Sequence, residues 1–222
     1  MTDGSRRPLP PGQRAREDFP RFGLPRYSSF RLPANSVPGL TVKRPGGEAF
    51  RLTKEQLEYL PRTSLTADLH CVTTWTTVGC EWGGWAFADV YERLIEPRIR
   101  PGFSWLQFNA RDGYWSAMLL ADVLAETVML ADSLAGGPLD LNHGAPLRLV
   151  APAHYGYKSV KHLVAVEFGD RFHPGPGPNE HPRGRVDLEE RGRRLPGKLL
   201  RHLYRPLIGP VVQAMSANSE KG

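Results

Sequence analysis

Two segments carry residue types that could do chemistry. The first is Thr66-Ala-Asp-Leu-His-Cys-Val-Thr-Thr-Trp75, which holds Cys71, one of two cysteines in the chain. Leu65, Ala67 and Leu69 alternate with polar residues just before it, so the thiol stands at the end of a strand, beside a loop of small polar residues and tryptophan. A thiolate is a soft metal ligand and a nucleophile. Zinc does not fit: no Cys-x-x-Cys pair occurs, and Cys71 and Cys80 stand nine positions apart with no matching His/Cys pair. A Cys–His hydrolase would draw on His143 or His154, a partnership that spacing cannot settle. From residue type alone, a buried structural cysteine is an equal alternative.

The second segment is His143-Gly-Ala-Pro-Leu-Arg148 together with Tyr155-Gly-Tyr-Lys-Ser-Val-Lys161. His143 and Arg148 bracket a tight turn that leads into a strand. Ser159 adds a hydroxyl, and Lys158 and Lys161 add cations, at a turn that reads as opening a helical segment. Backbone N–H groups at a helix start plus cations suit a phosphate. Neither stretch is a P-loop or a dinucleotide glycine motif, and an exposed basic turn would look the same. Tyr114, after the turn Arg111-Asp-Gly, is either a half-buried sheet tyrosine or a phenol that hydrogen-bonds a substrate oxygen.

Short elements must position these groups. Residues 1–38 read as an irregular arm, because prolines at 8, 10, 11, 20, 25, 33 and 38 exclude a long helix. Within it, Asp18-Phe-Pro-Arg-Phe-Gly23 is either pinned by its phenylalanines or crosses a site and lends it Arg21. Residues 39–170 form the main domain. Strands are expected at Leu40–Lys43 and Ala49–Leu52, and a capping box at Thr53–Gln56 starts a helix over Lys54–Leu60. A turn is expected at Glu81–Trp85, followed by helical spacing through Leu94. Further strands fall at Ser104–Asn109, Tyr114–Leu120, Pro146–Val150 and Leu163–Phe168, with a helical turn near Ala121–Leu124. Residues 171–222 form an extension. In it, His173–Arg185 reads as a linker without core-forming residues. Lys198–Val212 carries a helical apolar stripe broken at Pro206 and Pro210, either packed on the domain or docking weakly on a partner or a membrane face.

Bulk properties narrow the class. Glycine (23) and proline (21) make about a fifth of the 222 residues, which favours many tight turns, as in β-rich or α+β chains; with the strands and short helices above, the expected fold is α+β, a mixed β-sheet core with short helices. The net charge of +6 attracts anions, but no basic run is interleaved with aromatics, so nucleic acid is not an expected partner. No apolar run reaches membrane length. Arg6-Arg7 is followed by Pro8, Pro10, Pro11 and Gly12 instead of an apolar segment, so export is not expected; a reducing cytoplasm is, with both cysteines as thiols.

Taken in order, Thr66–Trp75, Trp82-Gly-Gly, Asp112-Gly-Tyr114, His143-Gly-Ala-Pro-Leu-Arg-Leu-Val-Ala-Pro152 and Tyr155–Lys161 resemble the molybdopterin-binding domain of the sulfite oxidase family, over roughly residues 10–170. The resemblance implies the sulfite oxidase molybdopterin-binding fold and a Mo-molybdopterin cofactor, one pyranopterin per molybdenum, with Cys71 as the metal's thiolate ligand. It implies that His143 and Arg148 hold the pterin and its phosphate, that Ser159, Val160 and Lys161 close on that phosphate, and that Arg21 and Phe22 of the arm touch the cofactor. Tyr114 matches a catalytic tyrosine near the metal's oxo ligand, and Asn109 a pocket position. The implied reaction is two-electron oxygen-atom transfer on a small oxo-substrate (sulfoxide, N-oxide or sulfite), with molybdenum cycling between +6 and +4. The alternative is a cofactor-binding or carrier protein without turnover.

The chain departs from the pattern just after Cys71. Sulfite-oxidising members usually carry arginine there; this chain has Trp75 and Thr76, as in bacterial protein-methionine-sulfoxide reductase catalytic subunits. No Cys-x-x-Cys-His haem motif is present, so electrons are expected to come from or go to a separate protein.

Overall fold

The computed structural model describes residues 8–99, 102–177 and 179–217; Arg6-Arg7 and Pro101 lie outside them. Elements in chain order are β1 (Arg14–Arg16), β2 (Leu40–Lys43), β3 (Phe50–Leu52), α1 (Lys54–Glu58), β4 (Thr63–His70), β5 (Trp75–Ala86) and α2 (Phe87–Val90). After a π-turn at Tyr91–Ile95 come β6 (Trp105–Ala110), β7 (Trp115–Leu119), α3 (Leu120–Val123), β8 (Met129–Leu134), β9 (Gly137–Pro138), β10 (Arg148–Val150) and β11 (Leu163–Gly169). The chain closes with α4 (Gly197–Tyr204) and α5 (Ile208–Ala217), joined by a tight turn at Arg205–Leu207.

The strands form two mixed sheets. One runs β1-β5-β8-β10, with β4 also paired to β5 and β9 to β8; the other runs β3-β2-β11-β6-β7. Leu40, Val42, Leu106, Phe108, Val166 and Phe168 of the second sheet share one core with Trp85, Leu130 and Leu149 of the first. The fully buried Trp85 and Phe108 are each worth on the order of 3–5 kcal/mol against truncation to alanine. A second cluster gathers Leu69, Cys71, Trp75, Cys80, Trp82 and Val150, with Phe19 and Phe22 packed on it. The cysteine strand-end therefore rests on solid packing.

Most expected elements form where the periodicity puts them. The Thr53 capping box is complete, its hydroxyl accepting from the Gln56 N–H while the Gln56 amide oxygen accepts from Thr53 N–H. The helix ends at Glu58, two residues sooner than Leu60.

Four readings differ. Glu81–Trp85 is no turn but the second half of β5. Its glycines serve close approach: a Cβ on Gly84 would meet Leu130 O at 2.0 Å, where β5 crosses β8 at a bulge. The irregular arm contains β1, which pairs in parallel with β5 from Arg14↔Trp75 to Arg16↔Thr77. The turn after Tyr155 opens no helix, since His162 takes a left-handed φ of 50° and β11 follows at once. The segment at 173–185 is held down by charge where no apolar residue could do it. Glu180, 5% exposed, enters the domain and meets Lys158 Nζ at 2.8 Å.

Candidate active site

Residues 71–74 make the tight link between β4 and β5. Cys71 N–H donates to Trp75 O at 2.8 Å, and Thr74 N–H to Cys71 O at 3.1 Å. Thr74 sits at φ 80°, a conformation that β-branched residues avoid at a cost of about 1–3 kcal/mol, so the surroundings must hold the loop in place. Gln13, just before β1, does this: its amide donates to Cys71 O at 3.1 Å and accepts from Thr76 Oγ1 at 3.1 Å, and Thr76 Oγ1 also lies 2.8 Å from His70 Nδ1. Arg191 holds the other side, donating to Val72 O at 2.8 Å and to Pro11 O at 2.9 Å, with its guanidinium over the Tyr155 ring.

The Cys71 side chain is 7% exposed and lines a cavity of about 320 Å³. Burial pushes its pKa up to about 11, against the hydrogen bond with Thr73 Oγ1 at 3.1 Å and the charges of Arg191 and Lys161. A cation bound at the sulfur supplies the charge that burial withholds and draws off the proton. Among the described residues no three His, Cys, Asp or Glu side chains converge to hold a metal ion. Cys71 would be a lone protein ligand, with the remaining donors brought by a cofactor.

Cations line the same cavity. Arg148, 1% exposed, donates to His143 O at 2.7 Å and Ser159 O at 3.2 Å and lies over Trp82; desolvation lowers its pKa to about 10. Lys161 donates to Asn142 O at 2.8 Å; burial first, then Arg148 and Arg21, bring its pKa to about 7. Among the described residues neither Arg148 nor Lys161 has a carboxylate within ion-pair distance. A buried and a half-buried cation without an ion-pair partner are what an anionic ligand requires. The Trp75 indole N–H, also buried, has no partner either. These groups fit a cofactor that brings a phosphate and a metal.

The cavity collects Arg21, Phe22, Cys71, Tyr114, Arg148, Ser159, Val160 and Lys161, all anticipated from sequence. The Tyr114 phenol donates to Tyr157 O at 2.7 Å, and burial raises its pKa well above the ordinary value. Two anticipated residues are not on the wall. Asn109 lies within the second sheet, paired with Trp115 and Ala165, and its amide oxygen accepts from Gln107. His143 stands one layer back: its ring contacts Asp140 Oδ1 at 2.8 Å and Phe19 O at 3.1 Å, so it fixes the arm that forms the wall.

Sequence reasoning missed Gln13, Arg191 and Glu180, which carry no local motif, and it read Lys158 as a phosphate-binding cation where the side chain is buried against Glu180, off the cavity wall. It also missed that the C-terminal extension closes the cavity: Tyr204, Leu207, Val211 and Met215 line it, opposite Gly23–Pro25 of the arm.

The family described as oxidoreductase molybdopterin binding domain matches residues 36–176. The uncharacterized oxidoreductase YuiH of Bacillus subtilis (strain 168) is 32% identical over 170 residues, covering 75% of this chain and 82% of that protein. The protein-methionine-sulfoxide reductase catalytic subunit MsrP of Xanthomonas campestris pv. campestris is 31% identical over 118 residues, 47% of this chain and 36% of that one, so the match spans about a third of that relative. The sulfane dehydrogenase SoxCD from Paracoccus pantotrophus superposes with a TM-score of 0.54 at 22% identity, over 71% of this chain and 46% of that one, a likeness of fold. The chain belongs to the sulfite oxidase-like molybdopterin-binding oxidoreductases, whose cofactor is Mo-molybdopterin.

Proposed function

We propose that this molybdopterin-dependent oxidoreductase binds molybdenum through the Cys71 thiolate and transfers an oxygen atom to or from a small, uncharged oxo-substrate, a sulfoxide or an N-oxide. The observation that carries the proposal is the placement of a lone buried thiol and of two cations without carboxylate partners around one cavity. Arg148, Ser159, Val160 and Lys161 would hold the pterin phosphate, with Arg21 and Phe22 covering it from the arm. The bound cofactor supplies two-electron redox chemistry at the metal. For a sulfoxide the balance is two electrons and two protons taken up, sulfide and water released.

The protein's part is positioning and exclusion of water. Gln13 and Arg191 fix the backbone that carries the thiol. The Trp75 indole N–H, buried and without an acceptor, is the donor we assign to the substrate oxygen. A neutral donor in the place of an arginine favours an uncharged substrate over sulfite, and the methionine-sulfoxide reductase name of a relative points the same way. Electrons come from a separate protein. We place the chain in a reducing cytoplasm, in keeping with two free, buried thiols.

The test is production in a molybdopterin-competent host, metal and pterin analysis, and two assays of opposite direction: reoxidation of a reduced viologen by sulfoxides and N-oxides, and reduction of ferricyanide by sulfite. Near-stoichiometric molybdenum and turnover of a sulfoxide or N-oxide are expected, with molybdenum retention at least tenfold lower in Cys71→Ser, on the order of the loss for one metal ligand. Folded protein without molybdenum, or a Cys71→Ser variant with undiminished turnover, would overturn the proposal.

A further inference from the structure

We infer that the outer face of α4 docks on an anionic lipid bilayer. Leu195, Leu199, Leu203 and Leu207 recur at every fourth residue and remain 43%, 49%, 54% and 47% exposed. The adjoining side of the helix, about 100° round from Leu199, is spent on the domain, with Leu200 buried at 2%. The stripe is therefore surplus to the fold.

Charge selects the partner. From Arg191 to Ala217 the chain has no Asp or Glu, while Arg193, Arg194, Lys198 and Arg205 are exposed. Lys198 on the helix and Arg205 at the start of the turn after it border the leucines along one edge, so the leucines can enter the acyl boundary while the cations reach up to headgroups. A second copy of this chain would bring cation against cation. A protein hot spot would call for exposed aromatics or buried pockets, and the exposed apolar residues here are aliphatic. An acidic lipid surface satisfies both halves of the pattern. Leu207 belongs to the stripe and also lines the cavity, so docking brings the cavity's C-terminal wall to the lipid. The inference does not depend on the cofactor reading.

Sedimentation of the cofactor-loaded full chain with vesicles is the test. Binding is expected to phosphatidylcholine vesicles containing about a third phosphatidylserine, and not to pure phosphatidylcholine. Raising the salt to roughly 0.5 M should release most of it. Lys198→Glu/Arg205→Glu should weaken binding by roughly 25-fold, about fivefold per cation lost. Leu199→Glu/Leu203→Glu should weaken it at least as much while leaving viologen-linked turnover in solution unchanged. All four positions are exposed, so the variants should fold. Equal binding to both vesicle types, no binding to either, or full binding by the leucine variant would overturn the inference. So would a wild-type dimer that the leucine variant turns into monomer without any lipid binding.

Discussion

Replacing Lys161 by methionine should stabilise the cofactor-free protein and at the same time cost it the cofactor. The ammonium's pKa falls from 10.5 to about 7 because the group is desolvated and faces Arg148 and Arg21, which outweigh the attraction of Asp112 and Asp140. A fall of ~3.5 units at ~1.36 kcal/mol each sets a ceiling of ~5 kcal/mol on the cost of keeping Lys161 charged at neutral pH. The residue is only half-buried against the cavity, so water relieves part of this, leaving about 2–3 kcal/mol. Losing the donor to Asn142 O gives back about 1 kcal/mol. The net gain at pH 7 is about 1–2 kcal/mol, or a rise in Tm of about 2–8 °C for a chain of this length. The sign with pH is fixed. Between pH 7 and 10.5 the unfolded chain holds a proton on Lys161 that the folded one lacks, so this residue's penalty shrinks as pH rises and is gone above 10.5. The advantage of Lys161→Met over wild type should therefore fade from pH 7 to pH 10. Thermal melts of both proteins, made without molybdopterin, measure it, and metal analysis after production with molybdopterin should show at least tenfold less cofactor in the variant. A variant less stable than wild type at pH 7, or an advantage that grows with pH, would refute the reasoning that this cation is stored uncompensated for an anion.

Gln13→Ala removes two buried hydrogen bonds and should cost about 2 kcal/mol, a fall in Tm of about 4–8 °C; in the cofactor-free protein, Cys71 should also react faster with a thiol reagent. Lys158→Met strands Glu180 and should cost about 3–5 kcal/mol by urea unfolding. Adding Glu180→Gln should restore at least ~1 kcal/mol of this, since the amide can still pair with Ser116 and Gly175 N–H; simple additivity of the two losses would contradict the pairing.

The sequence was legible wherever a local pattern carries the information. Alternation gave the strand that ends at Cys71, the capping box gave α1, and the family-like segments gave the residues on the cavity wall. Glu81–Trp85 failed because two adjacent glycines signal a turn and a close strand crossing equally; only the backbone of Leu130 on β8, nearly fifty residues away, decides between them. Asn109 lies off the cavity because β6 belongs to the second sheet, none of whose strand residues lines the cavity, and the strand's other face, Leu106, Phe108 and Ala110, turns into the core; a local motif does not say which sheet edge faces the site. Gln13, Glu180 and Arg191 were invisible because their partners are contributed by distant segments. A stretch rich in proline and glycine reads as a linker until Lys158 is seen waiting for its carboxylate.

Arg191 ties Val72 to Pro11, its hydrogen bonds spanning 119 and 180 residues of chain. A nascent chain that has completed both sheets still lacks this clamp and the C-terminal wall beyond it. At a synthesis rate of about 5–20 residues per second, the interval between release of β11 and release of α5 is a few seconds. The segment from β11 to α5 thus acts as a timer: the thiol and its cations are folded first and still approachable, and the chamber is sealed only once α5 has emerged.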